Sequence, residues 1–140
     1  ILQNFYIGGN YTLSASNVQL NAENLAAQTT NDRALQGHSA QIFNFQMGYD
    51  NPNWKTQATL LYNVSSKRIM AAGVLGAPDK YEQPVHQLDF VFSQNLYRGL
   101  SMQVSMQNLL DSEIRITQGD EVTRAFRRGR FFNLSVRLAY

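Results

Sequence analysis

The densest group of side chains with chemistry of their own lies near the C-terminal end of the sequence. Four arginines fall within seven positions, namely Arg124, Arg127, Arg128 and Arg130. A guanidinium group binds phosphate through two parallel hydrogen bonds, so such a group suits a phosphate-rich surface. It also suits a polar channel that attracts an anionic substrate. A solvated basic face explains the same residues without a ligand, and the sequence leaves these three interpretations open.

The other residues that could do acid–base or nucleophilic chemistry are scattered along the chain. His38 and His86 lie far apart in the sequence, which favours two exposed polar side chains over a shared site. Ser93, His86 and Asp89 could in principle form a triad, but no Gly-x-Ser-x-Gly turn accompanies them. Cysteine is absent, and neither a Gly-x-Gly-x-x-Gly run nor a P-loop occurs. We therefore expect a protein that is not an enzyme and that has no cofactor and no metal site.

The composition narrows the class of protein. Of 140 residues, 44% are hydrophobic and 11% are aromatic, which excludes an intrinsically disordered chain. Charged residues make up 16%, against roughly 25% in an average soluble domain, and Asn and Gln fill the difference with 13 residues each. The net charge of +2 is too small to argue for nucleic acid. No apolar run approaches the ~18 residues of a transmembrane helix, whereas a transmembrane β-strand needs only ~10 residues with every second one apolar.

Apolar residues recur at every second position, which is the signature of β-strands. In the clearest case one face is formed by Phe132, Leu134, Val136, Leu138 and Tyr140, with polar residues between them. The whole chain, residues 1–140, reads as one such unit without a linker or a second domain. The periodicity predicts six strands, over residues 2–16, 39–50, 54–68, 84–95, 99–109 (continuing to about 117) and 122–140.

The predicted connections alternate in length. Residues 50–53 and 95–99 have the composition of tight turns, whereas 17–38 and 69–83 are long and a further tip lies near 118–120. If the first strand runs upward, every short turn falls at one end together with both chain ends, and every long loop falls at the other. Outer-membrane β-barrels have this asymmetry, with short periplasmic turns and long extracellular loops.

The two faces of the predicted strands also fit a membrane barrel. The polar faces carry Asn, Gln, Ser and Thr, as in a wet lumen, and the opposite faces are aliphatic and aromatic, as against lipid. Tyr49, Trp54, Tyr97 and Tyr140 fall near the level of the short turns and are predicted to form a periplasmic aromatic girdle. A soluble β-barrel or sandwich with its apolar face inward shows the same alternation, so that alternative stays open.

Four short motifs occur in a recognisable order. They are Asn31-Asp32-Arg33-Ala34-Leu35-Gln36-Gly37, Asp50-Asn51-Pro52-Asn53-Trp54, Asn108-Leu109-Leu110-Asp111, and a final strand that follows Gly129-Arg130 and alternates to Tyr140. Together they resemble the C-terminal end of TonB-dependent outer-membrane receptors. The resemblance covers the whole chain, and Tyr140 stands where that family more often has Phe.

The resemblance implies an all-β, antiparallel, up-and-down transmembrane barrel of about 22 strands, of which this chain holds about the last six. The plug domain and the earlier strands would lie elsewhere. It further implies a bacterial outer-membrane location and energised uptake of a scarce ligand such as a siderophore, a vitamin or an oligosaccharide. The implied partners are TonB, through the missing N-terminal part, the unidentified small ligand, and outer-membrane lipid and lipopolysaccharide, which the four arginines would contact.

The last strand has a second implied role. Phe132, Leu134, Val136, Leu138 and Tyr140 resemble the signal that the barrel-assembly machinery reads, and an alternating edge strand can pair with another edge by β-augmentation. Six strands are also fewer than the ~8 of the smallest common barrels, and an open sheet in lipid would leave two unsatisfied edges. We therefore expect other strands or an assembly factor to complete the sheet.

Two alternatives remain at this stage. The chain could be a barrel substrate held by the assembly machinery through its C-terminal signal, or a soluble β-barrel that binds a small apolar ligand. Detergent dependence would separate the soluble protein from the other two.

Overall fold

The computed structural model describes residues 2–19, 29, 32–97 and 99–139, and within them the fold is all-β with antiparallel sheets. A short 3-10 turn, Leu2–Asn4, precedes the first strand. No helix in this part of the chain has the length and apolar character needed to cross a membrane. In chain order the strands are β1 (Phe5–Leu13), β2 (Val18–Gln19), β3 (Asp32–Arg33), β4 (Gln41–Asn51), β5 (Thr56–Ser65), β6 (Arg68–Ala71), β7 (Lys80–Glu82), β8 (Val85–Asn95), β9 (Leu100–Gln107), β10 (Glu113–Gln118), β11 (Glu121–Arg127) and β12 (Phe131–Leu138).

Six of these strands form the main sheet, in the order β1-β4-β5-β8-β9-β12. Each strand pairs antiparallel with the next long strand along the chain, which is an up-and-down meander with β1 and β12 at its edges. The short connections β4–β5 and β8–β9 lie at one end of this sheet, beside the start of β1 and the end of β12. The predicted order of the long strands and the predicted alternation of short and long connections are confirmed.

The register aligns the apolar residues of all six strands in continuous rows. Phe5 pairs with Tyr49 and Ile7 with Met47, and the rows continue from strand to strand to β12. One row is Phe5, Tyr49, Ala58, Phe92, Val104 and Leu134, and the next is Ile7, Met47, Leu60, Phe90, Met106 and Phe132. One face of the main sheet is therefore apolar across its whole width.

The predicted long loop 69–83 contains strands that the periodicity did not predict, and they join the two predicted strand segments on either side of the tip near 118–120. Strands β6, β7, β10 and β11 form a second sheet in the order β11-β10-β7-β6, at the end of the main sheet opposite the short turns. We call it the loop-side sheet. Among the described residues, the buried apolar side chains are Ile69, Ile114 and Ile116, and all three belong to it. The tightest core of the described chain therefore lies outside the main sheet.

Two predicted strands are interrupted, which corrects the sequence prediction. The strand expected over 99–109 and on to about 117 breaks between Gln107 and Glu113, and the one expected over 122–140 breaks between Arg127 and Phe131. The cause is left-handed backbone, with φ of 55° at Asn108, 46° at Asp111 and 84° at Gly129, which an extended strand cannot contain. The strand expected over 54–68 likewise ends at Ser65, and Arg68 begins a strand of the loop-side sheet.

Candidate functional site

The apolar face of the main sheet is uncovered. At its edges Ile7 is 71% exposed and Leu134 is 64% exposed, while the central strands are half-buried by their neighbours within the same sheet. Soluble monomers rarely leave a contiguous apolar surface of this kind in water, and such a surface marks contact with a membrane or another protein.

The opposite face carries a ladder of side-chain amides. Asn44 donates from Nδ2 to Asn10 Oδ1 over 2.8 Å, and Asn63 donates from Nδ2 to Asn44 Oδ1, so the ladder crosses three strands. In β8, Gln87 donates from Nε2 to Asp89 Oδ2 over 3.0 Å. A groove of about 540 Å³ lies over these residues. Because each amide and the Asp89 carboxylate have hydrogen-bonding capacity beyond these contacts, this face is suited to water rather than to lipid.

A glycine lets an aromatic ring cross the polar face. Tyr6 of β1 reaches over β4, and its hydroxyl lies 3.1 Å from Thr59 Oγ1 of β5. The ring passes directly over Gly48, where an added Cβ would lie only 2.0 Å from Tyr6 Cζ. The absence of a side chain at Gly48 is therefore required for this arrangement, which ties three strands together.

The terminal strand β12 has one paired edge. It pairs with β9 through Phe132 opposite Met106 and Leu134 opposite Val104, and every described residue of the strand is exposed. The predicted signal residues Phe132, Leu134, Val136 and Leu138 lie on one face, and the predicted Tyr140 lies outside the described residues. The structure thus places four of the five together on an exposed edge strand.

Aromatic residues gather at the short-turn end. Tyr49 lies two residues before the end of β4, Trp54 lies in the β4–β5 turn, and Tyr97 lies in the β8–β9 turn; Trp54 and Tyr97 are 71% and 74% exposed. Phe5 joins them, with its ring centroid 4.9 Å from that of Tyr49. The buried Asn51 fixes the turn, since its Nδ2 donates to Tyr49 Oη over 2.7 Å and its Oδ1 accepts from the backbone N–H of Trp54. Alternation alone would have identified Phe5, which starts a strand at this level.

The four arginines do not form one patch. In β11, Arg124 and Arg127 point to opposite sides of the strand, because residues an odd number of positions apart alternate. The Arg124 guanidinium lies 4.8 Å from the Phe126 ring centroid, and Arg127 Nη1 lies 4.0 Å from Asp111 Oδ2. Arg128 and Arg130 lie in two further environments. Arg128 lines a small cavity beside Phe131, whereas Arg130 donates from Nε to the Leu109 carbonyl over 2.9 Å.

The Asn108-Leu109-Leu110-Asp111 motif and Gly129 hold the two strand breaks together. Asn108 donates from Nδ2 to the Gly129 carbonyl over 2.6 Å, and the Gly129 N–H donates to Asp111 Oδ1 over 3.1 Å. The Asn108 N–H in turn donates to Asp89 Oδ1 of β8 over 2.8 Å. We call this group, Asn108, Asp111, Gly129 and Asp89, the clasp. It lies where the chain leaves the main sheet for the loop-side sheet and where it returns.

One carboxylate beyond the clasp has a perturbed pKa. The Arg115 side chain hydrogen-bonds to Glu113 and attracts its charge, and Arg127, which pairs with Glu113 across the strands, adds a weaker attraction. Together they lower the pKa of Glu113 below its ordinary value, so this carboxylate is ionised at neutral pH.

The two histidines contact hydroxyl groups near them, and the hypothetical triad is not formed. His38 contacts two hydroxyls, with Nδ1 2.9 Å from Ser16 Oγ and Nε2 beside Ser14 Oγ. His86 Nδ1 lies 2.6 Å from Tyr62 Oη on the apolar face. Ser93 and Asp89 lie on the polar face of the same strand, so the arrangement Ser93, His86, Asp89 is not formed. The described residues contain no group of three His, Cys, Asp or Glu side chains placed to hold a metal ion.

One cluster was missed from the sequence. In β3, the Arg33 side chain is 10% exposed. Its Nη1 has no hydrogen-bond partner in the described structure and lies 3.9 Å from Asp79 Oδ1. Asp79 is itself 5% exposed and accepts from the Gly73 N–H over 2.7 Å. A cavity of about 540 Å³ adjoins Arg33. In the sequence Arg33 belongs to the Asn31–Gly37 motif within a predicted long loop, and burial cannot be read from either.

No known protein family, no curated protein and no solved structure is significantly similar to this chain.

Proposed function

We propose that this chain forms the C-terminal part of the barrel wall of a TonB-dependent receptor in the bacterial outer membrane. The whole receptor would take up a scarce ligand, such as a siderophore, a vitamin or an oligosaccharide, with energy delivered through TonB. The observation that carries the proposal is the main sheet itself, a meander with one face apolar across all six strands and the other lined by amides.

Strand length supports a transmembrane position. Strands β4 and β8 have 11 residues each, which at ~3.3 Å per residue is about 36 Å. At the ~45° tilt of membrane β-strands this covers about 26 Å along the membrane normal. The outward apolar band of outer-membrane barrels is ~25 Å tall, so the longest strands match it.

The two ends of the main sheet support an orientation. Tyr49, Trp54 and Tyr97 lie at the short-turn end, where a periplasmic aromatic girdle belongs. The loop-side sheet lies at the opposite end, which corresponds to the extracellular side. Under this orientation Arg124, Arg127, Arg128 and Arg130 would lie at the outer leaflet, where lipopolysaccharide phosphates are available to guanidinium groups.

The edges of the main sheet support a larger barrel. Strands β1 and β12 each have one paired side among the described residues, and a sheet edge in lipid leaves backbone groups without partners. Further strands, up to about 22 in all, would supply those partners. Because β12 is exposed along its whole length, the same edge is available to the barrel-assembly machinery during biogenesis, with Phe132, Leu134, Val136 and Leu138 as the residues read.

Single cysteines test which face meets lipid, since the sequence has no native cysteine. We expect a fluorophore on Leu134→Cys, in protein reconstituted into lipid vesicles, to be quenched by doxyl-labelled lipid tails. A fluorophore on Ser135→Cys, the next residue and on the opposite face, should instead be quenched by iodide from the aqueous phase.

The same two labelled variants distinguish the proposed membrane wall from the alternatives. Quenching of neither position by doxyl lipid, together with solubility of the protein without detergent, would refute the membrane wall and favour the soluble barrel with its apolar face inward. Lipid quenching at both positions would refute the two-faced wall.

A further inference from the structure

We propose that the cavity beside Arg33 binds a small molecule that combines an apolar or aromatic body with a carboxylate or phosphate group. The site belongs to the loop side of the fold and is built from β3 and the segment that follows it, the start of β6, and β7 with the segment that leads into it. Its chemistry is the same whether or not the main sheet lies in a membrane, so the inference goes beyond the proposed function.

The cavity has the size and lining of a small-molecule site. Its volume of about 540 Å³ lies within the ~300–1,000 Å³ that is usual for such sites. Much of the wall is apolar, formed by Ala34, Ala40, Ile69, Pro78 and the ring of Tyr81. An apolar wall with a few placed polar groups fits a ligand that has an apolar body and one strongly polar end.

The placement of single cations, and not a net charge, favours an anion at that polar end, since Glu82 neutralises Arg68 and leaves Arg33 and Lys67 against Asp32 and Asp79. The cavity is lined by three cations and two carboxylates. The cations are Arg33, Lys67 and Arg68, and the carboxylates are Asp32 and Asp79. Arg68 is engaged by Glu82, to which its Nη2 donates over 2.8 Å. Lys67 is exposed, with its ammonium group 5.3 Å from the Tyr81 ring centroid, so its charge is available to a ligand in the cavity.

Arg33 supplies the anchor. A buried guanidinium N–H without an acceptor is costly, because it has lost water without gaining a hydrogen bond. The 3.9 Å separation from Asp79 Oδ1 is too long for a hydrogen bond, although it permits charge attraction. Nη1 is closed off from water, so the guanidinium must turn toward the cavity to reach a ligand oxygen. That turn breaks no hydrogen bond of Nη1, although it gives up part of the charge attraction to Asp79, and the ligand gains a hydrogen bond that is charge-assisted.

The test is an NMR titration of the folded protein in detergent, observing the Arg33 side chain and the Tyr81 ring. The probes are benzoate and phenyl phosphate, which share the proposed chemistry, and benzamide, a neutral molecule of the same shape as benzoate. We expect saturable shifts with one or both anions and none with benzamide. Equal shifts with benzamide, or no saturable shift with either anion, would overturn the proposal.

Matched variants locate the binding. Arg33→Gln should weaken anion binding at least about tenfold, since a charge-assisted hydrogen bond is lost. Lys67→Gln should weaken it about two- to fivefold, the range of an exposed ion pair, and it keeps the test decisive if Arg33→Gln does not fold. Lys55→Gln makes the same charge change at the opposite end of the main sheet and should leave the affinity unchanged. Equal affinity of the Lys67→Gln and wild-type proteins would contradict the assigned site.

Discussion

At the scale of single residues, Gly48 shows how one missing side chain holds three strands together. The Tyr6 ring occupies the space above it, and the Tyr6 hydroxyl meets Thr59 one strand further on. Covering a glycine within a sheet by a neighbouring aromatic ring is an efficient way to shield its backbone. The sequence indicated only that Gly48 lies on a polar face, because alternation assigns a face but does not say which ring lies across it.

We expect Gly48→Ala to destabilise the folded protein by about 1–3 kcal/mol, because the new methyl group would overlap the Tyr6 ring. Urea unfolding of the detergent-solubilised protein measures this loss. In a Tyr6→Ala background the same change should cost much less, since the obstructing ring is gone. An equal cost in both backgrounds would mean that backbone conformation, and not the ring, demands glycine.

The four arginines illustrate the limit of residue-level prediction. Proximity in sequence suggested one basic group, but strand alternation sends Arg124 and Arg127 to opposite sides. The strand break then separates Arg130, which donates to the Leu109 carbonyl beside the clasp. Conversely Arg33, which has no other arginine near it in the sequence, has a side chain that is only 10% exposed. Burial depends on the packing of distant strands, which local composition does not encode.

At the scale of elements, period-two alternation predicted the six long strands in their correct order and pairing. It failed between Met106 and Ile114. The strand predicted over 99–109 and on to about 117 runs through a break that the backbone makes at Asn108 and Asp111. Left-handed backbone at those two positions turns the chain while the alternation on either side is preserved, and the pattern alone therefore predicts one long strand.

The clasp can be tested by separating the backbone role of Asn108 from its side-chain role. Asn108→Gly removes the hydrogen bond to the Gly129 carbonyl but keeps a residue suited to positive φ, which we expect to cost about 0.5–1.5 kcal/mol. Asn108→Ala adds the strain of left-handed backbone, roughly 1 kcal/mol or more. Hydrogen exchange of the Ile114 and Ile116 amides should be fastest in Asn108→Ala, slower in Asn108→Gly and slowest in the wild type. Exchange of the β5 amides should change little. If amide exchange accelerated equally in the main sheet and in the loop-side sheet, the clasp would not be a local connection between the two.

At the scale of the whole molecule, the buried core of the described residues does not lie on the main sheet, which is where the core of a soluble domain would lie. The buried apolar side chains belong to the loop-side sheet, whereas the main sheet leaves its broad apolar face open. Composition anticipated this in part, since low charge and many amides indicate a polar face that is wet but not charged. It could not indicate that β6 and β7 would pair with β10 and β11 into a sheet with its own core, because β6 and β7 are short and β7 pairs with β10 across a large sequence separation.

Leu60 and Leu61 provide a matched test of the wall as a whole, since these neighbours in β5 lie on opposite faces. Leu60 pairs with Met47 and Phe90 in an apolar row, while Leu61 lines the polar groove opposite Gln46 and Asp89. In lipid bilayers we expect Leu60→Arg to lower the free energy of unfolding by about 2–4 kcal/mol, the cost of a cation at the bilayer midplane. Leu61→Arg should cost far less, because its guanidinium would remain in the wet groove within reach of the Asp89 carboxylate. Urea titration in vesicles, followed by the fluorescence of Trp54, compares the two directly. Similar losses for both variants would contradict the assignment of one face to lipid and the other to water, and with it the proposed wall.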